Sequence, residues 1–345
     1  MQNAPIPIVV VGFRNSSDIV QCLSALAKAR REPSFAIYIC ENGGQQAYDK
    51  LTAALTAAGG PCPGVPVALP PPGPSFLRAC RLKLAQETGS AIDVTIGEAR
   101  GNLGYAGGIN AWLAPLLQKP EWPGVWILNP DTAPEPEALA ALVEYAEKFD
   151  KGMVGSRIMT PSDPGRIGSR GLFWNTWQGR TIGVDKYAPA VEPDRIDVER
   201  RIASPHGASF YITRVCLEEI GLMEEGYFLY FEDLEWGMRA KAASGLGYAY
   251  RSVVPHLGGT TIGSGSSRSN RSELAVYLDY RNRLLFVRRN FRGWAPWTIA
   301  IGLAWSAEFL AVGSLRNFKA ALAGWSAGLR GETGRPDRLM KRLYG

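Results

Sequence analysis

The chain has 345 residues, 46% hydrophobic and 20% charged, with 39 Gly and 24 Pro. This composition fits one large or two ordinary globular domains and excludes collagen-like and disordered chains. The formal charge of +6 is unevenly placed: from Arg268 onward there are 14 Lys/Arg against 5 Asp/Glu, a net +9, and before it 24 against 27, a net −3. Basicity is therefore a C-terminal property. It does not by itself choose between nucleic acid, membrane and anionic substrate. Cys22, Cys40, Cys62, Cys80 and Cys216 form no C-x-x-C pair and mostly sit in apolar runs, so buried free thiols in a reducing compartment are expected rather than a disulfide framework. Met1 leads into a strand-like run with no basic leader before it, and the expected location is cytoplasmic.

Pro7–Gly12 is a continuous apolar run of strand type. Asn15, Ser16, Ser17 and Asp18 follow as candidate caps for a helix with Ile19, Leu23, Leu26 and Ala27 on one face. Phe35–Cys40 repeats the pattern, ending at Glu41-Asn42-Gly43-Gly44 before a helix from about 46 to 58. Such alternation implies a parallel sheet with right-handed crossovers, whose ligands lie at the carboxyl ends of the strands. The Pro- and Gly-rich stretch 61–74 reads as a surface insertion, 75–87 as a helix and 93–96 as a strand. Gly101, Gly104, Gly107 and Gly108 open the next helix, letting the backbone approach a diphosphate or a sugar, or simply making a tight turn. A buried strand, 124–128, ends on Asn129-Pro130-Asp131, and a helix follows from about 136 to 149. Residues 161–193 carry little periodicity and are expected to be irregular or to form short strands walling a site.

Three groups stand out chemically: Asp131 after its strand; Glu232, Asp233 and Glu235 between aromatic residues; and the two histidines, His206 and His256. Singly, each also has an ordinary structural reading, Asp131 as a helix cap and the histidines as satisfied interior residues. Together they fall in a recognisable order with Gly12–Ser17, Glu41-Asn42, Gly101-Asn102-Leu103-Gly104-Tyr105-Ala106-Gly107-Gly108, Leu128–Asp131, Gly207-Ala208-Ser209-Phe210, Tyr227–Asp233 and Val254-Pro255-His256. In that order the chain, from about Ile8 to Arg289, resembles family 2 glycosyltransferases of the GT-A fold, rhamnosyltransferase-like members in particular.

The resemblance implies an α/β, Rossmann-like domain with a mostly parallel sheet over residues 1–265, its donor-binding half about 1–133 and its acceptor-binding half about 134–265. A helical extension, 266–345, follows. It implies transfer of a sugar, with inversion, from a dTDP- or UDP-linked donor, rhamnose foremost, to a saccharide or lipid-linked acceptor in bacterial surface polysaccharide synthesis. By resemblance Asp233 is the general base and Asp131 the main ligand of a divalent cation, Mg or Mn, with His256 second. Asn129 stands where the family's metal motif begins with Asp, and Glu41 where the family has Asp. Phe13, Arg14, Asn15, Glu41, Asn42, Asn102, Gly104, Asn129 and Asp131 are assigned to the donor. Glu232, Trp236 and His206 are assigned to the acceptor, with Tyr230 a further flat face. Arg281 is assigned to the diphosphate or the acceptor, its alternative being a solvated helix face.

In the extension, 274–291 has helical spacing, and 294–315 is largely apolar with Glu308 its only charge. Three readings fit this second segment: core or dimer packing, a helix lying in a membrane surface, or a span. The basic flanks suit an anionic lipid surface at the inner face of the cytoplasmic membrane. Nucleic acid is not expected, because the last basic cluster lacks interleaved stacking aromatics.

Overall fold

The computed structural model describes residues 4–30, 33–87, 89–119, 122–160, 163–256 and 271–344. The expected domain boundary at 265/266 lies outside them. The first half alternates strand and helix: β1 (Ile6–Gly12), α1 (Ser16–Leu26), β2 (Phe35–Glu41), α2 (Gln45–Thr56), β3 (Val67–Leu69), β4 (Phe76–Ala85), β5 (Ala91–Ala99), α3 (Gly104–Leu117), β6 (Gly124–Leu128) and α4 (Ala138–Phe149). The second half contributes β7 (Met153–Thr160), β8 (Asp163–Ser169), β9 (Leu172–Asn175), β10 (Arg180–Gly183), α5 (Arg195–Arg201), β11 (Ser209–Thr213), α6 (Arg214–Ile220), α7 (Glu232–Ala243) and β12 (Leu246–Pro255). The C-terminal part is helical: α8 (Glu273–Asn290), α9 (Ala295–Ser306), α10 (Glu308–Ala311), α11 (Leu315–Arg330) and α12 (Asp337–Tyr344).

One sheet runs β12-β7-β11-β6-β1-β2-β5-β4-β3, with β8 paired to β7. Its centre, β6-β1-β2-β5, is parallel, as expected for apolar strands covered by helices on both faces. Ile8, Val9 and Val10 of β1 are fully buried, with Ile8 and Val10 in one core cluster and Val9 in the other. Antiparallel β11 separates β6 from β7. The strand order reverses at β1, whose neighbours β2 and β6 lie on opposite sides, so a crevice opens at the carboxyl ends of these three strands.

Two sequence expectations fail here. The predicted 75–87 helix is strand β4: Cys80, Leu82 and Leu84 point inward, Arg81 and Lys83 outward. Cross-strand pairs Arg78–Glu98 (2.6 Å) and Lys83–Asp93 (2.8 Å) hold it to β5. The 61–74 insertion contains β3, which extends the sheet edge. Residues 163–183 do form short strands, and all five cysteines are buried and free.

The apolar 294–315 segment is broken into α9 and α10, and among the described residues no helix is long and apolar enough to cross a membrane. The inward face of α9 is narrow and small, Thr298, Gly302 and Ser306; a Cβ on Gly302 would lie 3.5 Å from Trp325 of α11, and Gly179, between β9 and β10, approaches Thr298 and Ile301. Trp297 and Trp305 donate to the carbonyls of Trp177 and Gln178, and Arg180 pairs with Glu308 at 3.0 Å. Helices α8 and α11 approach closely because α11 carries Gly324 and Gly328. A Cβ at Gly324 would lie 2.2 Å from the Tyr277 carbonyl oxygen, and one at Gly328 2.8 Å from that of Arg281.

Candidate active site

The crevice begins at the ends of β1 and β2. Glu41 is fully buried, and one of its oxygens, Oε1, accepts from the main-chain N–H groups of Arg14 (3.1 Å) and Gly43 (2.8 Å). These bonds fold the β1–α1 loop, in which Arg14 has φ 59, over the end of β2. Its other oxygen, Oε2, is buried beside Gly12 with no hydrogen-bond partner among the described residues, and burial raises the carboxyl pKa. Asn15 turns back to accept from Phe13 N–H (3.0 Å) and makes no side-chain cap to α1, against the capping expected from sequence. Asn42 ties this wall to the glycine loop: its Nδ2 donates to the Gly104 carbonyl (2.9 Å) and its Oδ1 accepts from Leu103 N–H (3.3 Å). Asn102 Oδ1 accepts from Gly104 N–H at 3.0 Å. Gly104 has φ +75, and a Cβ there would lie 2.2 Å from the carbonyl oxygen of Phe228. Only glycine allows that approach.

At the end of β6, Asp131 caps no helix, since α4 does not start until Ala138. It meets the end of β12 instead. Thr132 and His256 form an isolated antiparallel bridge, and His256 Nε2 stands 3.2 Å from Asp131 Oδ1. The His206 ring lies edge-on to His256 at 5.6 Å, with its Nδ1 accepting from Ala208 N–H. Burial and the facing His256 push the His206 pKa down to about 3, so its imidazole is neutral across the working pH range. Asn129 Oδ1 is buried and without a hydrogen-bond partner among the described residues.

The third wall is the start of α7. Asp233 lies against Gly207, where a Cβ would come within 2.4 Å of its Oδ2. Its carboxylate accepts from Leu234 N–H (2.8 Å), and this with the nearby main-chain N–H groups of Asp233 and Gly207 partly offsets the upward push of burial on its pKa. Glu232 is buried next to it. Burial, then the charge of Asp233, pushes its pKa up to about 8. The Tyr105 hydroxyl donates to the Gly207 carbonyl (2.7 Å) and feels the charges of Asp233, Glu232 and Asp131, linking the two acidic walls.

The loop that delivers Asp233 is strained: Phe228, Tyr230 and Phe231 have φ 66, 71 and 79. Helix α8 holds it. Asn282 Nδ2 donates to the carbonyls of Tyr227 (2.9 Å), Leu229 (2.8 Å) and Tyr230 (2.9 Å), and Arg281 Nη2 donates to Tyr227 (2.9 Å).

Residues 4–283 match the family described as Glycosyltransferase like family 2. The chain belongs to that family. It is similar to the low-salt glycan biosynthesis hexosyltransferase of Haloferax volcanii, 24% identical over 257 residues, 72% of this chain and 79% of that protein. It is also similar to the N-acetylglucosaminyl-diphospho-decaprenol L-rhamnosyltransferase of Mycobacterium tuberculosis, 26% identical over 245 residues, 62% of this chain and 75% of that protein. In fold it is similar to a mannosyltransferase of Pyrobaculum calidifontis solved with GDP-Man and Mn2+, TM-score 0.50 at 12% identity, over 95% of this chain and 87% of that one.

In this glycosyltransferase hydrogen bonds join Phe13 to Asn15, Arg14 to Glu41, and Asn42 and Asn102 to Gly104; Asp131 meets His256, which faces His206; and Asp233 lies against Gly207, which Tyr105 reaches. Three sequence assignments are corrected. Trp236 is fully buried, packs edge-on against Phe210 at 5.9 Å and donates to the Gly221 carbonyl, so it offers no face to a sugar. Arg281 is neither a solvated surface residue nor part of the donor crevice: it is 1% exposed and turns its guanidinium to the Tyr227 and Gly334 carbonyls and the Asn282 side chain. Glu232, assigned to the acceptor, is 3% exposed and lies beneath the surface, where burial and the charge of Asp233 favour its neutral form. Tyr105, Gly207 and Asn282 were not singled out from the sequence, although the first two stand in quoted motifs.

Proposed function

We propose that this glycosyltransferase moves rhamnose from dTDP-rhamnose, with inversion, to a saccharide or lipid-linked acceptor at the inner face of the cytoplasmic membrane. The observation that carries the reading is that Asp131, 3.2 Å from His256, and Asp233, beside Gly207, both act on Tyr105, whose hydroxyl donates to the Gly207 carbonyl. The Asp233 carboxylate takes the proton of the acceptor hydroxyl as that oxygen attacks the anomeric carbon. The bond from that carbon to the β-phosphate oxygen breaks, and the nucleoside diphosphate leaves. A single displacement inverts the centre.

The residues present fit a divalent cation. Two adjacent ligands of an octahedral cation, each about 2.1 Å from it, stand about 3 Å apart, and Asp131 Oδ1 and His256 Nε2 are separated by 3.2 Å. No group of three or more His, Cys, Asp or Glu stands together as a cage among the described residues. Such a site leaves positions for donor phosphate oxygens and water, the habit of Mg and Mn. When bound there, the cation neutralises charge on the leaving diphosphate. Burial of Glu41 Oε2 without a partner suits acceptance from a pyrimidine N–H, a group that thymine and uracil share. A UDP-sugar is therefore the competing donor.

A donor-hydrolysis screen across dTDP- and UDP-sugars, with Mn and with chelator, tests the reading. Turnover of dTDP-rhamnose that chelator abolishes is expected. Strong turnover with a UDP-sugar alone would overturn the rhamnose assignment, and full turnover in chelator would overturn the cation.

A further inference from the structure

Helices α8, α11 and α12 enclose a cleft of ≈ 1090 Å³ outside the crevice described above. Seven of its lining residues are Arg or Lys and three are Asp or Glu. The acids are already engaged: Glu273 with Arg342 (2.6 Å), Glu332 with Arg330 (2.8 Å) and Asp337 with Arg335 (3.3 Å). Lys319 and Arg338 have no ion pair among the described residues, and both are exposed. Arg281 in the wall is almost wholly buried, yet its hydrogen bonds go to carbonyls and an amide rather than to a carboxylate. A buried cation without a directly bonded counter-ion is costly, and an anion entering the cleft would relieve that cost.

The two ends of the cleft differ. One borders the donor loop, where Arg335 Nη1 lies 4.0 Å from the position of a Cβ on Gly101. Gly334 and Gly226 are joined there by a main-chain bond of 2.6 Å, which fixes the cleft wall to the segment preceding Asp233. The other end reaches Leu315, 56% exposed, next to Val312 and Leu310 at 47% each. Cationic walls with an apolar lip at one end and the reaction centre at the other match a molecule with a hydrocarbon chain, then phosphate, then sugar.

We propose that this cleft binds the diphosphate of a lipid-linked acceptor, with the lipid leaving over Leu315 and the edge of α10 and the sugar facing the crevice. This rests on the transferase function proposed above and names its acceptor class. Geranyl diphosphate in chelator, titrated against the full chain by tryptophan fluorescence, is the probe. The Lys319→Glu/Arg338→Glu double variant alters two exposed side chains outside the catalytic crevice, with Arg251→Glu on β12, which does not line the cleft, as control. Expected is at least a tenfold weaker Kd for geranyl diphosphate in the double variant, no change in the control, no binding of geraniol, and dTDP affinity with Mn unchanged within twofold. Equal binding of geraniol, an unaffected double variant, or a parallel loss of dTDP affinity would each overturn the cleft. So would an effect confined to sedimentation with phosphatidylglycerol vesicles, which would assign these cations to a bilayer surface. Absent donor turnover with cleft binding intact would overturn the transferase reading alone.

Discussion

Asn282→Leu tests whether α8 positions the catalytic loop. Leucine keeps the volume and removes the donor that serves the Tyr227, Leu229 and Tyr230 carbonyls. Tyr227 keeps its bond from Arg281, so two carbonyls lose their amide partner, at about 1 kcal/mol each, or about 2 kcal/mol together. The same bonds restrain three non-glycine residues of positive φ, which store roughly 1 kcal/mol or more apiece. Released, that strain lets the loop relax and carries Asp233, two residues beyond Phe231, away from the acceptor hydroxyl whose proton it is proposed to take. A misplacement that adds about 2 kcal/mol to the barrier slows the reaction about 30-fold. Steady-state kinetics should therefore show kcat reduced by about that factor, with donor KM and nucleotide affinity within twofold, and a lower Tm. A purely structural role would lower Tm and leave kcat of the folded fraction unchanged. That result, or an equal loss of donor binding, refutes the positioning.

Three other outcomes are expected. Asp233→Asn should lower transfer by about a hundredfold or more while calorimetry gives unchanged donor affinity, and retained transfer would remove Asp233 as base. Glu232 binds its proton more tightly folded than unfolded, so its contribution to stability is present below pH 4.5 and is lost as pH rises toward about 8; the Tm of Glu232→Gln relative to the parent should accordingly climb across that window, and parallel Tm–pH curves would contradict the shift. Gly104→Ala forces a Cβ onto the Phe228 carbonyl at positive φ and should cost more than about 1 kcal/mol in a denaturant titration, with weakened nucleotide binding; an unchanged midpoint would show that the loop yields.

The crevice was readable because it is built where apolar runs stop. Ile8–Val11, Ile37–Cys40 and Val125–Leu128 announce parallel buried strands, and their polar ends are where an α/β sheet binds ligands. The 75–87 segment was misread because its Leu, Ala, Arg and Lys favour helix by composition, whereas the alternation Cys80, Leu82, Leu84 is what the β5 partner rewards. Trp236 looked like a platform beside an acidic cluster. The four-residue spacing of Glu232, Trp236 and Ala240 instead makes one inward stripe of α7. Arg281 read as a diphosphate or acceptor contact, or as a solvated face, and Asn282 drew no reading, because nothing local shows that α8 faces a loop short of hydrogen-bond donors. That need arises only once φ is positive at three residues far away in sequence, a tertiary fact with no local pattern.

The 204–208 segment ties these distant parts together: the Ala208 carbonyl accepts from Asn129 N–H, that of Gly207 from Tyr105, and Ser204 donates to the Asp233 carbonyl. The Tyr105–Gly207 bond spans 102 positions of chain. Loops of that length close late, after local strand–helix units have formed. The β1–β2 wall around Glu41, drawn from neighbouring segments, can mature first. During refolding, nucleotide affinity should return before sugar transfer does, with an interval in which the protein grips a donor that it has no means of using.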